Sequence, residues 1–208
     1  MNLRNTFTLL ALTTVPAYVT ADPFIAAGMG YNSIELEDDQ YDFALVDGVQ
    51  LDVSSDDSDT APWLQLGYTF SPAWSIALTY NQFETGSSQE VVLSALEEEE
   101  WEASLDVTEY ALEAIWHYSL ADKWQLNTSA GIVLHDADFS QSHELDVENG
   151  ADVVYSAYGE SDSKVGAVAS VGIEYAAYRN FSVVANTRFS YSSLVSNASA
   201  NVGVKYAF

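Results

Sequence analysis

The chain of 208 residues has no cysteine, four prolines, and six lysines and arginines against 31 aspartates and glutamates. It also lacks any uninterrupted apolar run of the roughly 20 residues that a membrane-crossing helix needs. Each absence excludes something. Without cysteine there is no disulfide framework, so a closed hydrogen-bonded ladder or an ordinary core must hold the chain together. A net charge of -25 excludes a nucleic-acid binder, which needs a basic face to neutralise phosphates. The length suits one domain better than two.

What is present is unevenly placed. Acids crowd three segments, 37–59, 84–106 and 136–162, and the stretches between them are nearly uncharged, aromatic and β-branched, the composition of strands. The last nine residues show the pattern most clearly. Ala200, Val202, Val204, Tyr206 and Phe208 occupy alternate positions, with Asn201, Gly203 and Lys205 among those between. Such a strand, apolar on one face and polar on the other, suits a barrel wall between hydrocarbon and a wetter interior. At the other end, Arg4, an apolar centre over 7–15 and the small residues Val19-Thr20-Ala21 have the layout of a secretory signal peptide. The expected division is a cleaved signal over 1–21 and one domain over 22–208. A retained anchor helix is the competing reading, and the short, threonine-broken apolar run opposes it.

Alternation and turn residues predict eight strands, near 24–36, 63–70, 74–83, 107–120, 124–134, 165–178, 181–190 and 196–208. The connections alternate between tight turns at 71–73, 121–123 and 179–180 and long acidic loops, with a modest fourth loop at 191–195. Leu64, Leu66, Tyr68, Phe70, Trp74, Ile76, Leu78, Tyr110, Leu112 and Trp116 are expected to face lipid. Gln65, Thr69, Ser75, Thr79, Asn81, Asn127, Ser129, Ser170 and Asn186 are expected inside, because a one-residue slip would drive the polar set into hydrocarbon. The first strand, small and apolar on both faces, gives no orientation. Aromatics beside the tight turns, Phe70, Trp74, Tyr118, Trp124, Tyr178, Phe181 and Phe208, suit a headgroup-level girdle. A soluble β-sandwich also has short alternating strands, but it accounts for neither that girdle nor the terminal phenylalanine.

On strand count, loop asymmetry and the pattern of Val202, Val204, Tyr206 and Phe208, the chain resembles the small eight-stranded bacterial outer-membrane barrels. These include the OmpA transmembrane domain, OmpX and the Ail-type adhesins. The resemblance implies an all-β, antiparallel, up-and-down transmembrane barrel in a Gram-negative outer membrane. It also implies contact with lipids and lipopolysaccharide, and a C-terminal signal at those four residues read by the barrel assembly machinery. No peptidoglycan-binding domain is expected to follow the barrel.

Three constellations are candidates for chemistry. Glu109, Glu113 and His117 share the inward face of one strand, and Glu174, Arg188 and Lys205 face inward on three others. In a barrel only wide enough for side chains this is a plug of ion pairs, and a narrow gated ion path is the functional alternative. His117-Tyr-Ser119 is similar to the His-x-Ser arrangement of lipid A deacylases, but here both side chains are expected inside, away from lipid, so no catalytic residues are assigned. Asp56, Asp57, Asp59, Glu97, Glu98, Glu99, Glu100, Asp136 and Asp138 are oxygen ligands of the kind Ca2+ or Mg2+ takes, without the spacing of a calcium loop; solvated, mutually repelling loops are the alternative. No resident cofactor is expected. Segment 84–106 also carries Val91, Val92, Leu93 and Trp101, more apolar than solvent requires. It reads either as an extended hairpin offering a strand edge to a partner or as a short helix over 94–105.

Overall fold

The structure, a computed structural model, describes residues 22–37, 43–53, 58–94, 97–147 and 153–208. Its strands are β1 (Asp22–Leu36), β2 (Phe43–Val46), β3 (Val49–Asp52), β4 (Ser58–Ser71), β5 (Trp74–Val92), β6 (Glu97–Ala121), β7 (Trp124–Val147), β8 (Val153–Tyr178), β9 (Phe181–Tyr191) and β10 (Val195–Ala207). Eight of them close an antiparallel barrel in the order β1-β10-β9-β8-β7-β6-β5-β4, and β2 pairs with β3 in a separate hairpin. This is the eight-stranded barrel expected from the alternation.

The period of two sorts the side chains. Leu64, Leu66, Tyr68, Ile76, Leu78, Tyr110, Leu112 and Trp116 are exposed on the outer wall, while Ser75, Thr79, Asn81, Glu109, Glu113 and Ser129 are buried inside. β1, which the sequence left unoriented, turns Phe24, Ala26, Asn32 and Ile34 inward and Ile25, Met29 and Tyr31 outward. The barrel closes where β1 meets β10, from Phe24 opposite Ala207 to Leu36 opposite Val195. Paired rings mark the tight-turn rim: Trp74 with Trp116 at 4.4 Å, Trp124 with Tyr175 at 4.8 Å and Phe181 with Tyr206 at 4.8 Å.

The strands are unequal. β1, β4, β9 and β10 have 15, 14, 11 and 13 residues, whereas β5, β6, β7 and β8 have 19, 25, 24 and 26. A tilted spanning strand needs about 9 to 11, so β5–β8 continue beyond the wall as a protruding four-stranded sheet. β5 parts from β4 beyond Asn81, and β8 parts from β9 beyond Ala167. Here the structure corrects the sequence reading. Most of 136–162 is strand, not loop; of the two readings of 84–106 the extended hairpin is the one found, and residues 97–105 are part of β6, not a helix. The cause is an inner face as apolar as the outer one is acidic. Trp101, Ala103, Leu105 and Val107 on β6 and Ala137 and Phe139 on β7 pack into one buried cluster.

That cluster also takes Ala44, Val46, Leu51 and Val53 from the β2–β3 hairpin and its flank, with Ile34, Phe83, Leu194 and Val195. The hairpin turns at Asp47-Gly48 with φ of 46° and 94°, the left-handed pair that a two-residue Asp-Gly turn supplies. An apolar plug thus fills the end of the barrel opposite the tight turns.

Candidate functional site

Below the plug the interior becomes ionic. Arg188 on β9 reaches across to β6, with Nη2 2.9 Å from Glu109 Oε1 and Nη1 3.0 Å from Glu113 Oε1. The second oxygen of each glutamate is also held. Ser129 donates to Glu113 Oε2 at 2.6 Å, and Ser190 and the His135 ring, Nε2 at 3.0 Å, meet Glu109 Oε2. Thr79 adds a hydrogen bond to Glu113 at 2.8 Å. Fixed from several strands, these carboxylates and the guanidinium hold the wall in register.

A second group lies nearer the tight turns. Lys205 Nζ stands 2.9 Å from Glu174 Oε2, and the Asn127 amide donates to that oxygen at 3.2 Å. His117 joins through Asn127 at 2.8 Å and through Ser75 at 2.6 Å. The six interior residues singled out in the sequence therefore all face inward but divide into two groups. One is Glu109, Glu113 and Arg188; the other is Glu174, Lys205 and, by way of Asn127, His117. Ser119 lies at the exposed rim and is not a partner of His117 in these hydrogen bonds.

His135 was missed, although its parity matches that of Val133 and Ala137. His143 was missed as well, and it organises the far end of the protruding sheet. Its Nδ1 is 2.8 Å from Asp47 in the hairpin turn and its Nε2 is 2.9 Å from Glu99 on β6. The ring stacks on Trp101 at 4.7 Å and packs near Tyr155 at 4.8 Å. The hydrogen bond to Asp47, followed by that to Glu99, raises the His143 pKa above 6.5, and the bond from His143 lowers that of Asp47. This side chain ties the hairpin to the wall.

Among the described residues, the carboxylates considered for divalent cations do not form one site. Asp56 and Asp57 lie outside the described residues. Asp59 accepts the Glu84 backbone N–H at 3.3 Å. The four glutamates Glu97, Glu98, Glu99 and Glu100 are consecutive on β6, so neighbours point to opposite faces and cannot all converge on one ion. Glu99 turns to His143, while Glu98 and Glu100 lie on the outer face. Asp136 and Asp138 also face outward, Asp138 directly opposite Asp106. Among the described residues, no three His, Cys, Asp or Glu side chains group as a metal site.

The outer face instead carries like charges in register. Glu90 lies opposite Glu100 and Glu100 opposite Glu144, with Glu98 opposite Asp146 in the next row. Burial first, and then the neighbouring carboxylates, raise the pKa values of Glu98 and Glu100. Of the C-terminal residues, Val202 and Val204 face outward. Tyr206 packs edge-on to Phe208 at 4.9 Å, and the Phe208 N–H donates to the Pro23 carbonyl at 3.0 Å.

Comparison with known proteins agrees with this geometry. Residues 6–208 match the family model described as the outer membrane protein beta-barrel domain. No curated protein matches the sequence. Among solved structures, the fold is similar to Ail of Yersinia pestis in complex with the heparin analogue sucrose octasulfate. The identity is 15% over 90% of this chain and 99% of that one, with a TM-score of 0.54. It is also similar to Neisserial surface protein A, at 14% identity, 90% and 99% coverage and a TM-score of 0.56. OprG of Pseudomonas aeruginosa gives 15% identity, 91% and 97% coverage and a TM-score of 0.55. At such identities the likeness is one of fold.

Proposed function

The chain belongs to the outer membrane protein β-barrel family and resides in the outer membrane of a Gram-negative bacterium, and from that premise we propose that it works without catalysis, as a surface-interaction protein of the adhesin kind. In this reading residues 1–21 are a signal peptide removed on export, and Val202, Val204, Tyr206 and Phe208 guide assembly. The ionic interior gives stability, and the protruding β5–β8 sheet makes the contacts.

The observation that carries the proposal is the sheet itself. Its outer face presents the rows Glu90, Glu100, Glu144 and Glu98, Asp146, and among the described residues, 86–92 of β5 pair with β6 alone. A strand edge beyond the membrane is a template for strand addition by an extended segment, and the charge favours a basic one. A sulfated ligand of the kind bound to Ail in its crystal structure is the wrong sign for this face. Lipopolysaccharide, also anionic, is tolerated beside it when salt or divalent cations such as Ca2+ or Mg2+ screen the two.

A shortened barrel tests this. Gln89 and Trp101 are already opposite each other, so an Asn-Gly turn in place of residues 90–100 joins them without changing register. Cells displaying the native barrel are expected to bind polylysine in a salt-sensitive way and to leave heparin unbound. The shortened barrel, with folding checked by heat-modifiable gel mobility, is expected to bind polylysine several-fold less. Equal polylysine binding by the two forms would remove the sheet from the function. A narrow passive channel is the alternative, favoured by the charged interior around Arg188 and opposed by the plug above it. Steady conductance steps in a planar bilayer that change with Glu113→Gln would favour it.

A further inference from the structure

Of the five lysines and arginines among the described residues, three have carboxylate partners. Arg188 and Lys205 lie in the interior with Glu109, Glu113 and Glu174, and Lys164 pairs with Asp162. The other two, Lys123 and Arg179, stand exposed in two tight turns, one before β7 and one after β8, and β7 and β8 are neighbours in the wall. Each is held over a ring of the rim rather than against an acid. Lys123 Nζ is 5.9 Å from the centre of the Tyr175 ring, and Arg179 Cζ is 5.2 Å from that of Tyr178. The Lys123 carbonyl accepts the Ala176 N–H at 2.9 Å, which fixes the first turn beside the end of β8.

Arg179 has a φ of 44°. Glycine or asparagine fills that left-handed position with less strain, so the turn alone does not account for an arginine there. The rim of tight turns faces the periplasm in barrels of this family, and aromatic rings at a rim mark the level of the lipid headgroups. The two cations thus stand at the height of the phosphates of the periplasmic leaflet. Arginine meets a phosphate through paired N–H donors, and lysine meets it as a point charge.

The wall above the second turn is hollowed. Ile173, Ala185 and Val202 form one outward row across β8, β9 and β10, and Val171, Thr187 and Ala200 form the next. Both rows line an apolar groove of about 560 Å³, with the short side chains of Ala185 and Thr187 between longer ones. β9 begins directly after Arg179-Asn180, so the groove and the arginine share one strand. Ala185 and Thr187 are six and eight residues beyond Arg179. That is roughly 20 and 26 Å along a strand, or roughly 15 and 20 Å along the membrane normal at a tilt of about 40°. From headgroup to centre a bilayer measures about 20 Å. An acyl chain whose phosphate sits at Arg179 therefore ends in the groove.

We propose that Lys123, Arg179 and the groove along β9 form a docking site for one anionic phospholipid of the periplasmic leaflet. Its phosphate lies between the two cations, and an acyl chain fills the hollow over Ala185 and Thr187. The two turns carry two cations and one acid, Asp122, which leaves one positive charge for a headgroup whose only charge is its phosphate. A zwitterionic lipid adds an ammonium that this surplus repels.

Native mass spectrometry of the folded full barrel, taken from detergent micelles with equal amounts of phosphatidylglycerol and phosphatidylethanolamine, counts the lipids retained. One phosphatidylglycerol per barrel is expected, in preference to phosphatidylethanolamine. Lys123→Gln combined with Arg179→Asn, a residue that suits the turn, is expected to lower phosphatidylglycerol retention on the order of tenfold while the folded gel mobility is kept. Ala185→Phe, which fills the hollow, is expected to lower it with both charges in place. Equal retention of the two lipids overturns the proposal, and so does phosphatidylglycerol retention that either variant leaves unchanged. Should a variant miss the folded mobility, Lys123→Gln alone and Thr187→Phe pose the same two questions.

Discussion

Below the plug the interior is held by charges and directed hydrogen bonds, whereas within the plug the same barrel is held by rings and methyl groups. Both regions exclude the outside medium, but they answer to different rules. In the lower half each oxygen of Glu109 and Glu113 has an assigned partner, so removing one group strands the others in a poorly solvating space. In the upper half Phe83, Leu105, Val107 and Phe139 fill volume, and a side chain of similar size can replace another. The lesson is about tolerance. The ionic half specifies its residues one by one, and the apolar half specifies their sum.

The largest expected break is at the centre of the ionic half. Arg188→Met leaves Glu109 and Glu113 buried without their cation and should cost about 3–5 kcal/mol, read as a lower urea midpoint of the folded fraction on gels. Adding Glu109→Gln and Glu113→Gln should recover much of that loss, because the stranded charges go with the cation. A triple variant as unstable as Arg188→Met would show that the pairs matter for something other than charge balance. The plug should respond less sharply. Leu105→Ala is expected to cost about 3 kcal/mol by opening a cavity, while Leu105→Met, which keeps the volume, should cost less than about 1.5 kcal/mol. By contrast Arg188→Lys cannot span both glutamates with one ammonium as the guanidinium does, and it should destabilise more than Leu105→Met in the same assay.

The smallest effect concerns the hairpin that completes the plug. His143 keeps its proton to higher pH than an ordinary histidine because Asp47 and Glu99 accept from its ring. The folded pKa is raised, so the clamp's stabilisation is complete below the ordinary value of 6.5 and is lost as pH rises through the raised one. Protease nicking of the β2–β3 hairpin should therefore increase with pH through that range in the native chain. In His143→Gln the pH step should vanish, leaving the hairpin about equally susceptible throughout. A step of the same size in the variant would move the titration to another group.

Much of this was legible in the sequence. Alternation in Leu64-Gln-Leu66-Gly-Tyr68 and in Tyr110-Ala-Leu112-Glu113 fixed strand and face together, because a slip would bury charge in lipid. The protruding sheet was only partly legible, since 84–106 read equally as an extended hairpin or a short helix and the acids of 136–162 as solvated loop. Yet Trp101, Ala103, Leu105 and Val107 alternate as regularly as any membrane strand. Asp47-Gly48 between Val46 and Val49 is likewise a strong hairpin signal, overlooked inside an acidic segment. What no local pattern carries is which inward charges meet. Glu109 and Arg188 are brought together by the curvature of a closed wall, and so are His143 and Asp47, 96 positions apart.

The seam between β1 and β10 sets a timetable. It joins Phe24 to Ala207, almost the two ends of the described chain, and Phe208 fastens to Pro23. The ring therefore cannot shut until β10 has been delivered beside β1. Until then two strands lie with bare flanks, open to wrong partners. Loss of even a few residues from β10 should accordingly be felt less as weakness in a finished barrel than as delay in finishing one.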